Sequence, residues 1–439
     1  MVNGKVTGFT AACVLVSNVI GSGIFTTTGF MARDLGDPWL ILLLWTVGAL
    51  LALTGALSYS ELGAAIPQVG GEYLYLRHAY GPLWGFLSGW ASFVVGFSAA
   101  IAAGSVSFAA YLLQVLPFSH EPGPAATVLA LALVWVLTGT HMAGVETGGV
   151  LQRLLTLTKV AAILALVAGA FLVGRGDWGH LTVRAPSTAP GLGTVVVSLI
   201  FVIYAYSGWN AAGYIAGEVA DPGRAIPRSM IRGTLFVGVV YLLLNVVYLY
   251  ALPVAALAQP PLLPVAEKAA VALFGTVGAA LVSILLCISI AAAVSAMVWA
   301  GPRVYVAMAR DGILPAGLAE ARGAGGAPSR AILLQSGWAT VLILSGSFEQ
   351  LVVYTGLVLT LFSALAVGAV IVLRRKRPDL TRPFRVPLYP FVPVVYLVIA
   401  ATVILYAVVE RPVESAWGVA TVLAGVPLYW LHSRRPQQA

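Results

Sequence analysis

The sequence predicts an all-α polytopic membrane protein of about twelve transmembrane helices. Three observations carry this. Apolar residues make up 60% of the 439 positions and charged residues only 9%, against roughly 25% charged in a soluble domain. The apolar residues come in runs long enough for a spanning helix, about 20 residues each, and not in the short alternating segments of a β-barrel. Lys and Arg gather in the stretches on one side of those runs, as the positive-inside rule requires.

In order, the runs lie at 6–33, 38–65, 82–116, 124–143, 150–174, 191–218, 230–252, 274–308, 330–347, 349–373, 388–409 and 412–432. The first continues to full spanning length with no A-x-A cleavage site, so it reads as a span and not as a signal peptide. The third and eighth exceed spanning length, so they tilt or project beyond the hydrocarbon. Residues 66–80 read as a loop, and 260–274 as an amphipathic loop helix on the opposite side. With the N-terminus inside, the outer loops hold only Arg33, Arg175, Arg184, Lys268 and Arg411 of the 24 Lys and Arg residues. Both termini are therefore expected in the cytoplasm and the chain in the cytoplasmic membrane. The basic run Arg374-Arg375-Lys376-Arg377 is explained as part of the same signal. The net charge of +8 is likewise topological and not a nucleic-acid footprint.

Two spans carry interruptions. The first contains Val19-Ile20-Gly21-Ser22-Gly23-Ile24-Phe25, where two glycines flank a serine. By itself this motif has two readings: an opened helix lining a cavity, or close packing through small residues. The sixth contains Tyr204-Ala205-Tyr206-Ser207-Gly208-Trp209-Asn210, with an asparagine that is costly at membrane depth unless partnered. The breaks stand five spans apart. An odd interval inverts the second copy relative to the first, and paired broken helices in an inverted repeat point to a transporter site. A broken helix offers free N–H groups at the start of its second half, which attract a carboxylate. It offers free carbonyls at the end of its first half, which attract an ammonium. Together the breaks supply both poles for an α-amino acid.

Acidic residues fall at span edges or in loops, so no intramembrane carboxylate awaits a basic side chain and a neutral ligand is expected. Lys159 stands about 14 Å into the fifth span, deep enough that a functional pairing is the default over snorkelling. Cys13 and Cys287 lie within apolar runs and read as small core residues. The histidines show no metal spacing, and there is no P-loop or G-x-S-x-G elbow. No metal, cofactor or catalytic group is therefore expected, and the chain is not read as an enzyme. A channel would need a continuous polar lining, whereas polar residues here concentrate at two breaks.

These residues resemble the amino acid–polyamine–organocation superfamily, and most closely its bacterial L-type amino acid transporter-like permeases. Residues 19–25 look like the family's first-helix signature. Tyr206 to Asn210, with Gly217-Glu218-Val219 and Asp221-Pro222-Gly223-Arg224-Ala225-Ile226-Pro227-Arg228, look like its sixth helix and following loop. Arg303-Val304-Tyr305 with Ala307-Met308-Ala309-Arg310-Asp311-Gly312 is similar to the end of its eighth helix. Arg377-Pro378-Asp379 with Arg382-Pro383-Phe384-Arg385-Val386-Pro387 is similar to the loop after its tenth. The resemblance implies the leucine-transporter fold: a five-helix repeat over 1–178, an inverted one over 179–376, and two C-terminal helices over 377–439. It implies that Ile20, Gly21, Ser22, Gly23 and Ile24, with Tyr204, Ser207, Gly208, Trp209 and Asn210, bind the amino acid, with Tyr204 as an aromatic gate. It implies that Lys159 occupies the place of a sodium ion. The expected activity is sodium-independent exchange or facilitated transport of neutral L-amino acids by alternating access, with proton-coupled symport through Lys159 as the alternative. Eukaryotic members pair with a glycoprotein through a cysteine between the third and fourth helices. Here Phe118-Ser119-His120-Glu121-Pro122-Gly123 has none, so no disulfide-linked heavy chain is expected.

Overall fold

In a computed structural model, residues 6–115, 124–185, 190–260, 262, 265–320, 327–345 and 348–433 are described. The expected loop at 118–123 and the pair Arg434-Arg435 lie outside them. The described chain is built from eighteen α-helices. They are α1 (Gly8–Val19), α2 (Ser22–Leu35), α3 (Pro38–Ala65), α4 (Glu72–Tyr80), α5 (Pro82–Ala91), α6 (Ser98–Val115), α7 (Pro124–Met142), α8 (Val145–Leu172), α9 (Leu192–Tyr206), α10 (Ala211–Tyr214), α11 (Pro222–Ala251), α12 (Val254–Leu257), α13 (Val265–Ala300), α14 (Pro302–Arg310), α15 (Ser329–Ser345), α16 (Phe348–Lys376), α17 (Phe391–Glu410) and α18 (Pro412–Ser433). Extended pairing among the described residues is limited to one isolated bridge between Val6 and Val219.

Among the described residues, nine segments are long and apolar enough to cross a membrane, and Leu192–Tyr206 is a shorter apolar helix. With α15 and α18 the chain spans about twelve times, as the hydropathy pattern requires. The two over-long runs resolve differently. The third is α5 and α6 joined by a π-helical turn over Ser92–Phe97. The eighth continues from the expected loop helix through a kink at Gly275, whose φ of 73° suits glycine.

The expected loop at 66–80 is a correction. Its second half is the helix α4, and Glu72, Tyr73, Tyr75 and Leu76 on it are buried. It packs against α5 and α16. A backbone buried there must satisfy its own hydrogen bonds, and a helix does so internally.

Helix caps explain several boundaries. Asp37 accepts from the Trp39 and Leu40 amides to start α3, with Pro38 as first helical residue. Gly36, in the left-handed region at φ 61°, ends α2. The centre of the molecule is occupied by α1, α2 and α9, which contact α3, α11, α13, α16 and α17. Both interrupted helices are thus surrounded by protein, the condition under which irregular backbone is tolerated at membrane depth.

Candidate binding site at two helix breaks

The first break separates α1 from α2 at Ile20 and Gly21. No side chain caps α2, so its first-turn amides, from Ser22, Gly23 and Ile24, have no intrahelical acceptor. The second break separates α9 from the four-residue α10. Gly208 there has φ 100°, and a Cβ on it would lie 2.6 Å from Asn18 Oδ1. Both the backbone angle and the contact demand glycine. The breaks meet: a Cβ on Gly23 would lie 2.7 Å from Ala205 Cα. The packing reading therefore applies to Gly23, alongside the cavity reading. A Cβ on Gly21 would meet Ala293 Cβ at 3.4 Å, an ordinary contact.

One cavity of ≈ 80 Å³ lies between the breaks. Gly21, Ser22, Gly23, Tyr204, Ser207, Gly208, Trp209 and Asn210 line it. Ile20 and Ile24 do not line it; both are fully buried in the surrounding core. Further walls come from Asn18 on α1, Ser92, Gly96, Phe97 and Ala100 beside the π-helical turn, Met297 on α13, Thr360 and Ser363 on α16, and Tyr396 on α17. Trp209 is held edge-on by Tyr59, with ring centroids 4.7 Å apart.

Lys159 on α8 is fully buried. Its Nζ donates to the Ser17 carbonyl at 3.0 Å and to the Ile20 carbonyl, with Ser17 Oγ at 3.4 Å. It thus clamps the end of α1 on the side away from the cavity. The Val19 carbonyl is not among its acceptors. That carbonyl lies 2.6 Å from the hydroxyl of Tyr241 on α11, which also lies 3.0 Å from the Ala205 carbonyl. The single Tyr241 hydroxyl therefore ties the first break to the second. The Ser17, Val19 and Ile20 carbonyls are thus engaged by protein, whereas the Asn18 carbonyl, on a residue that lines the cavity, receives no bond among the described residues. At the end of α9, Ser207 donates to the Tyr204 carbonyl, and the one Tyr241 hydroxyl proton is shared between the Val19 and Ala205 carbonyls. The Ile203 carbonyl in the same last turn receives no side-chain bond among the described residues, and Ile203 lines the cavity.

Two polar residues were not distinguishable as site residues in the sequence. Asn18 is buried on the cavity wall, and its Nδ2 finds no acceptor among the described residues. Unpaired buried donors are rare. Glu72, placed in a loop by its sequence context, is 3% exposed. Its Oε1 accepts from Tyr59 Oη at 2.5 Å, Asn210 Nδ2 at 2.8 Å and Ser363 Oγ at 3.5 Å. Burial pushes its carboxyl above the usual range, while the hydrogen bonds from Tyr59, Asn210 and Ser363 oppose that. The expectation that all carboxylates sit away from the site is therefore corrected: one stands behind the cavity wall. All three donors belong to protein, so its acceptor capacity serves Asn210 and Ser363, and it is not among the residues lining the cavity.

The side of the molecule holding Val6 is tied together. Val6 exchanges backbone hydrogen bonds of 3.0 Å with Glu218 and Ala220. Arg303 on α14 pairs with Glu218 at 3.1 Å. Glu61 receives Arg374 at 2.5 Å, Arg382 at 3.4 Å and the Val386 amide at 2.8 Å. Arg77 pairs with Asp311, which also accepts from Tyr73. The motifs at Glu218, Arg303, Asp311 and Arg382 thus share one face.

Comparison with known proteins agrees with this architecture. A family model described as amino acid permease matches residues 6–427. The chain is 31% identical to the mouse "Large neutral amino acids transporter small subunit 2", covering 97% of this chain and 81% of that one. It is 30% identical to the human "Asc-type amino acid transporter 1", covering 97% and 82%. It is 28% identical to the "Serine/threonine exchanger SteT" of Bacillus subtilis (strain 168), covering 97% and 96%.

Proposed function

The chain belongs to the amino acid permease family, and from that premise we propose that it exchanges or facilitates neutral L-amino acids by alternating access without sodium. It is a transporter and not an enzyme. The observation that carries the reading is the meeting of two helix breaks at one cavity. The α-carboxylate sits against the first-turn amides of α2, where unpaired N–H groups and the helix dipole favour an anion. The α-ammonium is held between the last turns of α1 and α9, with the Asn18 and Ile203 carbonyls as acceptors, because the neighbouring Ile20 and Val19 carbonyls are already engaged. Tyr204 closes over the ligand as the gate. Lys159 stands where a bound cation would otherwise bridge α1 and α8.

A neutral side chain fits a cavity whose walls are hydroxyls, amides and aromatic rings. Small side chains such as those of alanine, serine and threonine suit its volume of ≈ 80 Å³ best. The relatives' names, covering neutral amino acids and serine or threonine, support the same class. Alternating access is carried by the repeats 1–178 and 179–376, inverted relative to one another, with 377–439 as a C-terminal pair. Both termini are cytoplasmic, and the cytoplasmic membrane is the location. No disulfide-linked heavy chain is required: the free cysteines Cys13 and Cys287 are both buried in the helical core.

The test is counterflow of labelled serine into purified proteoliposomes in sodium and in choline buffers, with a panel of competitors. Saturable counterflow at equal rates in both buffers is expected, competed by neutral amino acids that keep both α-groups. Arginine or lysine outcompeting every neutral amino acid would overturn the substrate class. Uptake driven mainly by an inward proton gradient would replace exchange with symport.

A further inference from the structure

On the same face as the Val6 bridge, the start of α11 carries Arg224, Arg228 and Arg232, all exposed. Spacing of four residues places them on one stripe of the helix, about 12 Å from first to last. They border a groove of ≈ 260 Å³ whose other wall is Pro383 and Phe384. Several other arginines on this face are committed to carboxylates: Arg303 to Glu218, Arg374 and Arg382 to Glu61, Arg377 to Asp379, Arg77 to Asp311. By contrast, Arg224, Arg228 and Arg232 make no ion pair among the described residues, and Asp221, close by at the helix start, pairs with none of them.

The direction of the stripe identifies what it meets. Continued along α11, it runs into Leu235, Val239 and Leu243, which are 56%, 52% and 37% exposed. Such residues on a spanning helix face acyl chains. Across the groove, Leu388 and Phe391 are 75% and 66% exposed. Three unpaired guanidiniums therefore sit directly above an acyl-facing apolar strip, at headgroup depth. A topology signal needs positive charge on this side but does not need it aligned with the lipid-facing strip. We propose that the groove between the start of α11 and residues 383–384 binds the phosphate headgroup of an anionic phospholipid, whose acyl chains lie along Leu235, Val239 and Leu243. Guanidinium forks match phosphate oxygens bidentately, and basic pockets at this depth take acidic lipid headgroups.

The experiment titrates the full-length protein in neutral detergent micelles with fluorescent phosphatidylglycerol and, separately, fluorescent phosphatidylcholine. The triple variant Arg224→Gln/Arg228→Gln/Arg232→Gln is compared with the charge control Arg310→Gln/Arg375→Gln. Phosphatidylglycerol should bind the unaltered protein well above phosphatidylcholine. The triple variant should bind it about tenfold more weakly or worse, with the control within about twofold of the unaltered protein. Equal binding of the two lipids, an unaffected triple variant, or an equal loss in the control would overturn the proposal. Displacement of the lipid by inorganic phosphate or glycerol phosphate at the same concentration would also overturn it, in favour of a site for soluble anions. Should the triple variant fail to fold, Arg228→Gln alone and the two-lipid comparison on the unaltered protein still decide the matter.

Discussion

At the scale of single residues, several buried polar groups hold the two broken helices in place. Lys159 is buried within the helical core, and its Nζ donates to carbonyls that have lost their helical donors. Such hydrogen bonds contribute about 0.5–1.5 kcal/mol each, and orphaning the acceptors costs more than replacing the pair. Lys159→Ala should therefore lower exchange at least about tenfold while the protein still inserts and remains monodisperse in detergent. Serine counterflow measured in sodium and in choline checks this; full activity in the variant would show that the clamp is dispensable. Glu72 does not line the cavity but holds Asn210 and Ser363, which do, so its effect on the proposed binding is expected to pass through them. Glu72→Ala should raise the apparent KM for serine about tenfold or more with a smaller change in maximal rate, and Glu72→Gln, which keeps one acceptor oxygen, should fall between. Equal effects on KM and maximal rate would point to a general structural role instead.

At the scale of elements, the two breaks do different work although their sequences look alike. Gly208 is required by its backbone angle and by Asn18. Gly23 is required by the approach of Ala205, whereas Gly21 faces ordinary contact distances. Overpacking a tight contact costs about 1–3 kcal/mol. Gly23→Ala should thus lower thermal stability and abolish most transport. Gly21→Ala should keep transport within about threefold of the unaltered protein, since a contact at 3.4 Å needs little adjustment. Thermal unfolding in detergent and serine counterflow on both variants separate the two roles. The same reasoning covers α4: its buried face carries Glu72 to the cavity wall because the helix satisfies its own backbone while packing on α5 and α16.

At the scale of the whole molecule, one face is drawn together by Val6 with Glu218 and Ala220, by Arg303 with Glu218, and by Glu61 with Arg374 and Arg382. A path from the cavity to that face requires α1 to leave the segment after α10. Val6→Cys/Val219→Cys, in a background with Cys13 and Cys287 replaced by alanine, should be cross-linked by a short bifunctional thiol reagent. Cross-linking should abolish counterflow, and a reducible linker should restore it on reduction. Undiminished exchange in the cross-linked protein would mean that α1 does not move away from Val219 during transport. A transporter of this kind works between two arrangements, so its clasp must be strong enough to close and weak enough to release. Of these pairs, Arg374 at 22% exposure with Glu61 at 2%, and Glu218 at 19% with Arg303 at 3%, each keep one partner in reach of water.

The sequence by itself determined the membrane class, the number of spans, both breaks and the depth of Lys159. Each of these is a local property: run length sets a span, glycine and asparagine mark an opening, and a charge inside an apolar run is visible without a partner. Tertiary structure alone decided which residues face the cavity. Lipid and protein interior are both apolar, so a spanning helix lacks the polar face that would reveal its orientation. Asn18, Tyr241 and Ser363 sit in runs that read as uniformly apolar, and nothing local distinguishes them from neighbours such as Ser17 or Tyr248. Glu72 was misplaced for the opposite reason: a polar stretch between spans reads as a loop, and only the packing of α4 beneath the second break brings its carboxylate to Asn210. Helix geometry turns the side chains of Ile20 and Ile24 into the core while their neighbours open onto the cavity, so any part these two take in binding goes through their backbone.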